Sequence, residues 1–252
     1  MRFLRSVLKT ILLLVTFVAI AWDFFIHYKL KGRAASIPAR AEWLNHSAKR
    51  LLKLLKVRLT WEGTPPTNGV LISNHLSYVD ILTLGTISPV VFLAKKEVRS
   101  WPIIGWLTQC AGTLFIHREK KGDVVPVVDE MARVVKEGVA VTLFLEGTST
   151  GGDVVLAFRS SLLAAAESYG WPVTPAWIHY TMKNGSVMDE VCYWRDMTLF
   201  PHLINLLGKK DGFEAHVCFG QTITEKMDRK TMAKELHKRV CEMREKYLAR
   251  QG

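Results

Sequence analysis

Asn74-His75-Leu76-Ser77-Tyr78-Val79-Asp80 sets an imidazole five positions ahead of a carboxylate, where an apolar run meets a predicted helix. A carboxylate bound to one imidazole nitrogen fixes the tautomer and leaves the other nitrogen free to take a proton from a hydroxyl. Leu71-Ile72-Ser73 reads as the end of a strand, and Ser77 as the N-cap of a helix that starts at Tyr78. Asp80 then falls in the first helical turn and His75 in the connecting loop. A solvated loop histidine followed by an aspartate favoured by the helix dipole would show the same residues. The pair therefore needs support from elsewhere in the chain.

Two further segments supply it. Gly112-Thr113-Leu114-Phe115-Ile116-His117-Arg118 is a glycine, a short strand and a basic pair at its exit; Phe144-Leu145-Glu146-Gly147-Thr148 closes the apolar run from Val139. With Val173-Thr174-Pro175-Ala176-Trp177 as a fourth, Pro-containing strand, these ordered blocks resemble the 1-acyl-glycerol-3-phosphate acyltransferase (glycerolipid acyltransferase) family. That family carries Asn-His-x4-Asp, an apolar strand followed by Arg, and Phe-Pro-Glu-Gly-Thr-Arg. The resemblance covers roughly residues 57 to 223, and four blocks in order are far more specific than one.

The resemblance implies that His75 is the general base, preceded by Asn74, and that Asp80 orients it. It makes Arg118 a ligand for an acceptor phosphate and Lys95 a second one, with Glu146, Gly147 and Thr148 beside the glycerol backbone. Three positions depart from the family pattern: Leu145 replaces Pro, Ser149 replaces Arg, and His117 stands where an acidic residue is usual. Loss of the third-motif Arg removes an anion contact that Arg159 can restore. The tract Phe158-Arg159-Ser160-Ser161 resembles bacterial branches that include acyltransferases for lyso-ornithine lipid as well as for lysophosphatidate.

A chain of 252 residues with 49% hydrophobic content is long enough for one α/β domain with a helical annex. A formal net charge of +11 implies an anionic partner. The basic residues crowd the first sixty positions and flank apolar segments, a membrane-surface pattern. No nucleic-acid module with a readable signature is present, so no nucleic-acid partner is expected. Cys110, Cys192, Cys218 and Cys241 lack paired spacing and read as buried thiols, and the histidines form no ligand set; no metal is expected.

Ile11 to Trp22 is apolar, but Lys9 and Asp23 bound it short of the ~20 residues a span needs. Phe24-Phe25-Ile26 extends it. A tilted membrane helix, an interfacial helix and a cleaved signal peptide compete, the last because Arg2, Arg5 and Ala19-Ile20-Ala21 have the right form. The apolar continuation past Asp23 and the cytosolic thioester that the resemblance implies favour a retained anchor at the inner membrane, active site toward the cytosol. Basic residues on both flanks fit a monotopic element. Ala41 to Lys56 reads as an amphipathic helix, preferably in the headgroup layer, otherwise packed on the core. Residues 1–56 thus form a membrane-anchoring segment and 57–252 the catalytic domain.

Seven strands are predicted: 57–61, 70–73, 90–94, 113–116, 139–145, 173–180 and 213–219. Helices are predicted over 123–136, 158–169 and 228–248. The alternation argues for an α/β fold, a central mostly parallel or mixed sheet covered by helices, with active residues on loops at strand ends.

The resulting expectation is acyl transfer from a thioester to the hydroxyl of a lysolipid, foremost 1-acyl-glycerol-3-phosphate and alternatively lyso-ornithine lipid. The donor is acyl carrier protein or coenzyme A, and no further cofactor is needed. Backbone donors near Gly147-Thr148 are candidates for the oxyanion, and Trp101 to Leu107 for an acyl groove or for core. Two other classes compete. Gly147-Thr148-Ser149-Thr150-Gly151 is a literal G-x-S-x-G, which would make Ser149 a hydrolase nucleophile, but Gly151-Gly152-Asp153 follows where that motif requires a helix. A non-catalytic basic membrane module is the other, opposed by the ordered polar motifs inside apolar strands.

Overall fold

Alternate residues of the central strands go to opposite faces of one sheet, and both faces are apolar. Leu71, Val90, Phe92, Ala140 and Ile178 join one buried cluster, while Val70, Ile72, Val91, Val141 and Leu143 join another. Strands buried on both sides demand helices on both sides. The computed structural model describes residues 2–117 and 124–250 and shows that arrangement.

The strands are β1 (Arg58–Glu62), β2 (Val70–Ser73), β3 (Val90–Lys95), β4 (Leu114–Ile116), β5 (Ala140–Leu143), β6 (Val173–Thr181) and β7 (Glu214–Phe219). They form one sheet in the order β1-β7-β6-β2-β5-β3-β4. From β6 to β4 all neighbours are parallel; β7 runs antiparallel to β6, and β1 is parallel to β7. The carboxyl ends of β2, β5, β3 and β4 therefore share one edge of the sheet, where open α/β sheets carry their sites. All seven predicted strands are present. β5 ends two residues earlier than expected, because Leu145 and Glu146 turn out of the ladder.

Helices α1 (Arg2–Asp23), α2 (Ile37–Leu55), α3 (Val79–Ile87) and α8 (Leu199–Leu207) contribute to the first face's cluster. Helices α5 (Val124–Lys136), α6 (Ala164–Tyr169) and α9 (Arg229–Ala249) cover the second. Two short helices, α4 (Ile104–Cys110) and α7 (Val187–Glu190), lie in connections. The helix expected from Phe158 starts only after Ser160. Leu156 N–H donates to Glu146 Oε2 at 2.7 Å and Arg159 N–H to the Leu145 carbonyl at 2.9 Å, which holds this segment extended.

α1 continues through a π-helical turn (Phe24–Lys29) into one apolar helix long enough to cross a bilayer, which points to membrane association. Phe3, Leu8, Leu12, Val15, Val18 and Trp22 face outward. Its inner side is not free. Arg5 donates to the carbonyl of Gly208 at 3.1 Å and Lys9 to that of Lys209 at 3.2 Å, while Arg2 bonds the Asn205 side chain, so this basic turn caps the end of α8. α2 corrects the headgroup-layer expectation. Ser36 caps it, and Trp43, Leu44, Leu52 and Leu55 are buried, so its apolar side packs within the protein and not in a headgroup layer.

Candidate active site

The site begins where β2 ends. Asn74 leaves the strand and clamps β6: its Nδ2 donates to the Ile178 carbonyl at 3.0 Å and its Oδ1 accepts from Ile178 N–H at 2.7 Å. Asn74, a possible site residue by the resemblance, is buried and used in holding the two strands together.

His75 follows, and its Nδ1 lies 2.7 Å from Asp80 Oδ2. The same oxygen accepts from Leu76 N–H at 2.7 Å and Ser77 N–H at 3.0 Å, and Oδ1 accepts from the Tyr180 hydroxyl at 2.7 Å. A carboxylate with no exposed surface is costly unless such donors surround it. Because an ionised Asp80 only accepts, Nδ1 carries the proton and Nε2 keeps its lone pair. The His75 side chain is 23% exposed against 0% for Asp80, so the base reaches the solvent side and its partner does not. The ring stacks on Phe144, with centroids 4.1 Å apart.

Ser77 is not the cap predicted for α3. Tyr78 occupies that position, and the buried Ser77 hydroxyl has no hydrogen-bond partner among the described residues. From inside the first turn the Asp80 carboxylate binds two loop N–H groups ahead of the helix, which ties orientation of the base to the start of the helix.

Glu146 supports the loop from β5. Its Oε1 accepts from His75 N–H at 2.7 Å and its Oε2 from Leu156 N–H. Burial raises the Glu146 pKa, and these two N–H donors oppose the rise. Each carboxylate oxygen thus serves one main-chain N–H, one from each of the two loops. Gly147 turns the chain with φ +79°, and a Cβ there would stand 2.9 Å from Arg159 Cζ. The Arg159 guanidinium thus lies on the Glu146-Gly147 turn, a placement only glycine allows. Thr148 is exposed beside it.

Lys95 ends β3 opposite Ile116 of β4, exposed and with no hydrogen bond or ion pair among the described residues. His117 follows β4 on the same edge. Arg118 lies outside the described residues, as does the expected Asp123 helix start. Ser149 donates its hydroxyl to the Tyr193 carbonyl, and no helix begins after it. Among the described residues no serine, threonine or cysteine side chain bonds the His75 ring.

Beside this loop runs an apolar groove of about 210 Å³ between α1, α2, α3, α4 and α8. Tyr78 and Ile81 face it from the His75 side, Trp101, Ile103 and Leu107 from the segment left open above, and Phe17 from α1. Away from the site, Glu62, His216 and Cys218 bring donor atoms within 4.8 Å of one another on β1 and β7. Cys218 already donates to Glu62 at 2.9 Å and Arg250 holds that carboxylate at 3.1 Å, while His216 Nδ1 lies 2.9 Å from Thr60 Oγ1 and its buried Nε2 has no partner among the described residues.

Spacing in the sequence did not reveal Tyr180, Tyr193 or His202 as parts of the site. Tyr180 alone left a signal: a hydroxyl in an otherwise buried strand requires a partner.

Residues 56–179 match the family model described as Acyltransferase. The chain is 34% identical over 193 residues, 71% of each chain, to a lyso-ornithine lipid O-acyltransferase of Brucella abortus. It is 32% identical over 142 residues, 52% of this chain and 56% of the other, to a 1-acyl-sn-glycerol-3-phosphate acyltransferase of Neisseria meningitidis. The fold matches the crystal structure of the 1-acyl-sn-glycerophosphate acyltransferase PlsC of Thermotoga maritima with a TM-score of 0.64, over 97% of this chain and 98% of that one at 21% identity. With the His75-Asp80 geometry in place and this length of sequence shared, the chain belongs to the glycerolipid acyltransferase family and is an O-acyltransferase.

Proposed function

We propose that the protein moves an acyl chain from a thioester directly to the free hydroxyl of a lysolipid, with His75 as the base. The observation that carries this reading is a ring whose Nδ1–H is fixed by buried Asp80 and whose Nε2 has no protein partner among the described residues. The acceptor oxygen bonds the thioester carbonyl carbon while its proton passes to Nε2. The C–S bond then breaks, and the departing thiolate recovers that proton from the imidazolium. Such proton transfer contributes about 10²–10⁴-fold. The apolar groove beside Tyr78 suits an acyl chain, and the α1 surface suits a membrane that supplies the lipid, with the catalytic edge on the cytosolic side where thioesters are made.

For the acceptor, lyso-ornithine lipid has the better support. Relatives of that name share the longer stretch of sequence, and Ser149, standing where the family pattern has an anion-binding Arg, is committed to a carbonyl. Free Lys95 at the strand edge keeps 1-acyl-glycerol-3-phosphate as the second reading, with Arg118 and Arg159 as further cations for a phosphate. The donor is acyl carrier protein or coenzyme A. An assay of the purified protein in lipid, with both lysolipids against both thioesters, tests all of this. Transfer to neither acceptor contradicts the proposal.

A further inference from the structure

The stretch between β6 and β7 lies outside the residues that match the family model, yet two of its residues bind the His75 loop directly. Tyr193 N–H donates to the Leu76 carbonyl at 2.8 Å. The Tyr78 hydroxyl lies 3.0 Å from His202 Nδ1, and His202 Nε2 lies 3.0 Å from the Cys192 carbonyl. A carbonyl only accepts, so Nε2 carries the proton and Nδ1 receives the Tyr78 hydroxyl. Burial lowers the His202 pKa and keeps the ring in this neutral form. The rings of Tyr78, Tyr193 and His202 meet edge to face at 5.5–5.6 Å, so the hydrogen bonds sit in a packed aromatic corner.

The same stretch reaches the other catalytic loop. Ser149 donates to the Tyr193 carbonyl, and the Trp194 ring packs against Gly151. Residues 191–194 therefore run between the His75 loop and the Glu146-Gly147 loop, with one peptide unit on either side of Tyr193 bonded to each. We infer that His202 and Tyr193 are positioning residues for acyl transfer, acting on His75 through Tyr78 and Leu76, so that the segment joining β6 to β7 is a working part of the active site.

This inference rests on His75 being the base, and its test separates the two. Tyr78→Phe removes one oxygen and keeps the ring; His202→Leu removes the acceptor and His202→Gln retains one. Specific activity is measured per folded protein, with folding followed by near-UV circular dichroism, beside His75→Ala. Tyr78→Phe and His202→Leu are expected to lower kcat about tenfold with KM for both substrates unchanged, since a misplaced base costs turnover and not binding. His202→Gln is expected to recover part of the loss, and the Tyr78→Phe/His202→Leu double variant to be no worse than the poorer single variant. Full kcat per folded protein in Tyr78→Phe, or losses that multiply in the double variant, overturns the inference while a dead His75→Ala leaves the base assignment standing. An active His75→Ala overturns the base assignment itself.

Discussion

The Tyr180 hydroxyl donates to Asp80 Oδ1 from β6, at 2.7 Å, while the opposite oxygen of the same carboxylate holds His75. Burial and the neighbouring Asp80 charge raise the Tyr180 pKa well above the phenol's ordinary value, so it remains a donor throughout the working range. Tyr180→Phe leaves one buried carboxylate oxygen without its donor. The expected result is a loss of about 1–3 kcal/mol in urea unfolding together with reduced kcat. An unchanged unfolding midpoint would show that the hydroxyl is dispensable.

His75→Ala is expected to lower turnover by about 10²–10⁴-fold in a protein that still folds. Asp80→Asn places an amide where four donors now converge, so the imidazole loses its fixed tautomer and kcat falls sharply with little change in KM. Steady-state kinetics on both variants check this, and a fully active, folded His75→Ala contradicts the mechanism.

Ser149→Ala discriminates direct transfer from a serine nucleophile. It removes a hydroxyl that donates to the Tyr193 carbonyl, so activity is expected to stay within a few-fold of the parent and serine-directed phosphonates to leave the enzyme unlabelled. Stoichiometric labelling at Ser149 would reverse the assignment of reaction class.

Gly147→Ala meets two obstacles, a positive φ and the Arg159 guanidinium 2.9 Å from the new carbon. Together they are expected to cost about 1–3 kcal/mol and to move Arg159 off the turn. Thermal unfolding checks the first consequence and the acceptor KM the second.

Acid stability has a candidate source in His179, stacked on Trp177. Burial, then the charges of His216 and Arg244, depress its pKa to about 4. The unfolded chain binds this proton near pH 6.5 and the folded chain does not, so stability falls as pH drops from 6.5 toward 4 and levels off below. His202 and His216, also depressed, add to the same slope. Urea midpoints at pH 7 and pH 4.5 are expected to differ less in His179→Gln than in the parent.

The sheet was legible because its strands are short apolar runs punctuated by Gly and Pro, and the site's edge followed from the parallel order. Local patterns failed where distant groups decide the outcome. Ser77 has the composition of a cap, but Asp80 N–H donates to its carbonyl and not its hydroxyl, while the Asp80 carboxylate binds the Leu76 and Ser77 N–H groups. Phe158 to Ser160 has helical composition, but Glu146 and Leu145 hold its backbone straight. The apolar side of α2 resembles a lipid-facing stripe in isolation, and only the packing of α1 and α3 against it shows where that stripe goes. α8 carried no motif, and its part in the site depends on Tyr78 and His202, which lie 124 residues apart.

α1 is fixed at both ends of its length, by basic side chains on α8 and, near its exit, by the Trp43 indole donating to the Ile20 carbonyl at 3.4 Å and packing on Phe24. A free membrane helix meets a thinner bilayer chiefly by tilting. Placed in a bilayer, α1 so held would not tilt without carrying the sheet, and mismatch would change the height and attitude of the catalytic edge above the lipid surface.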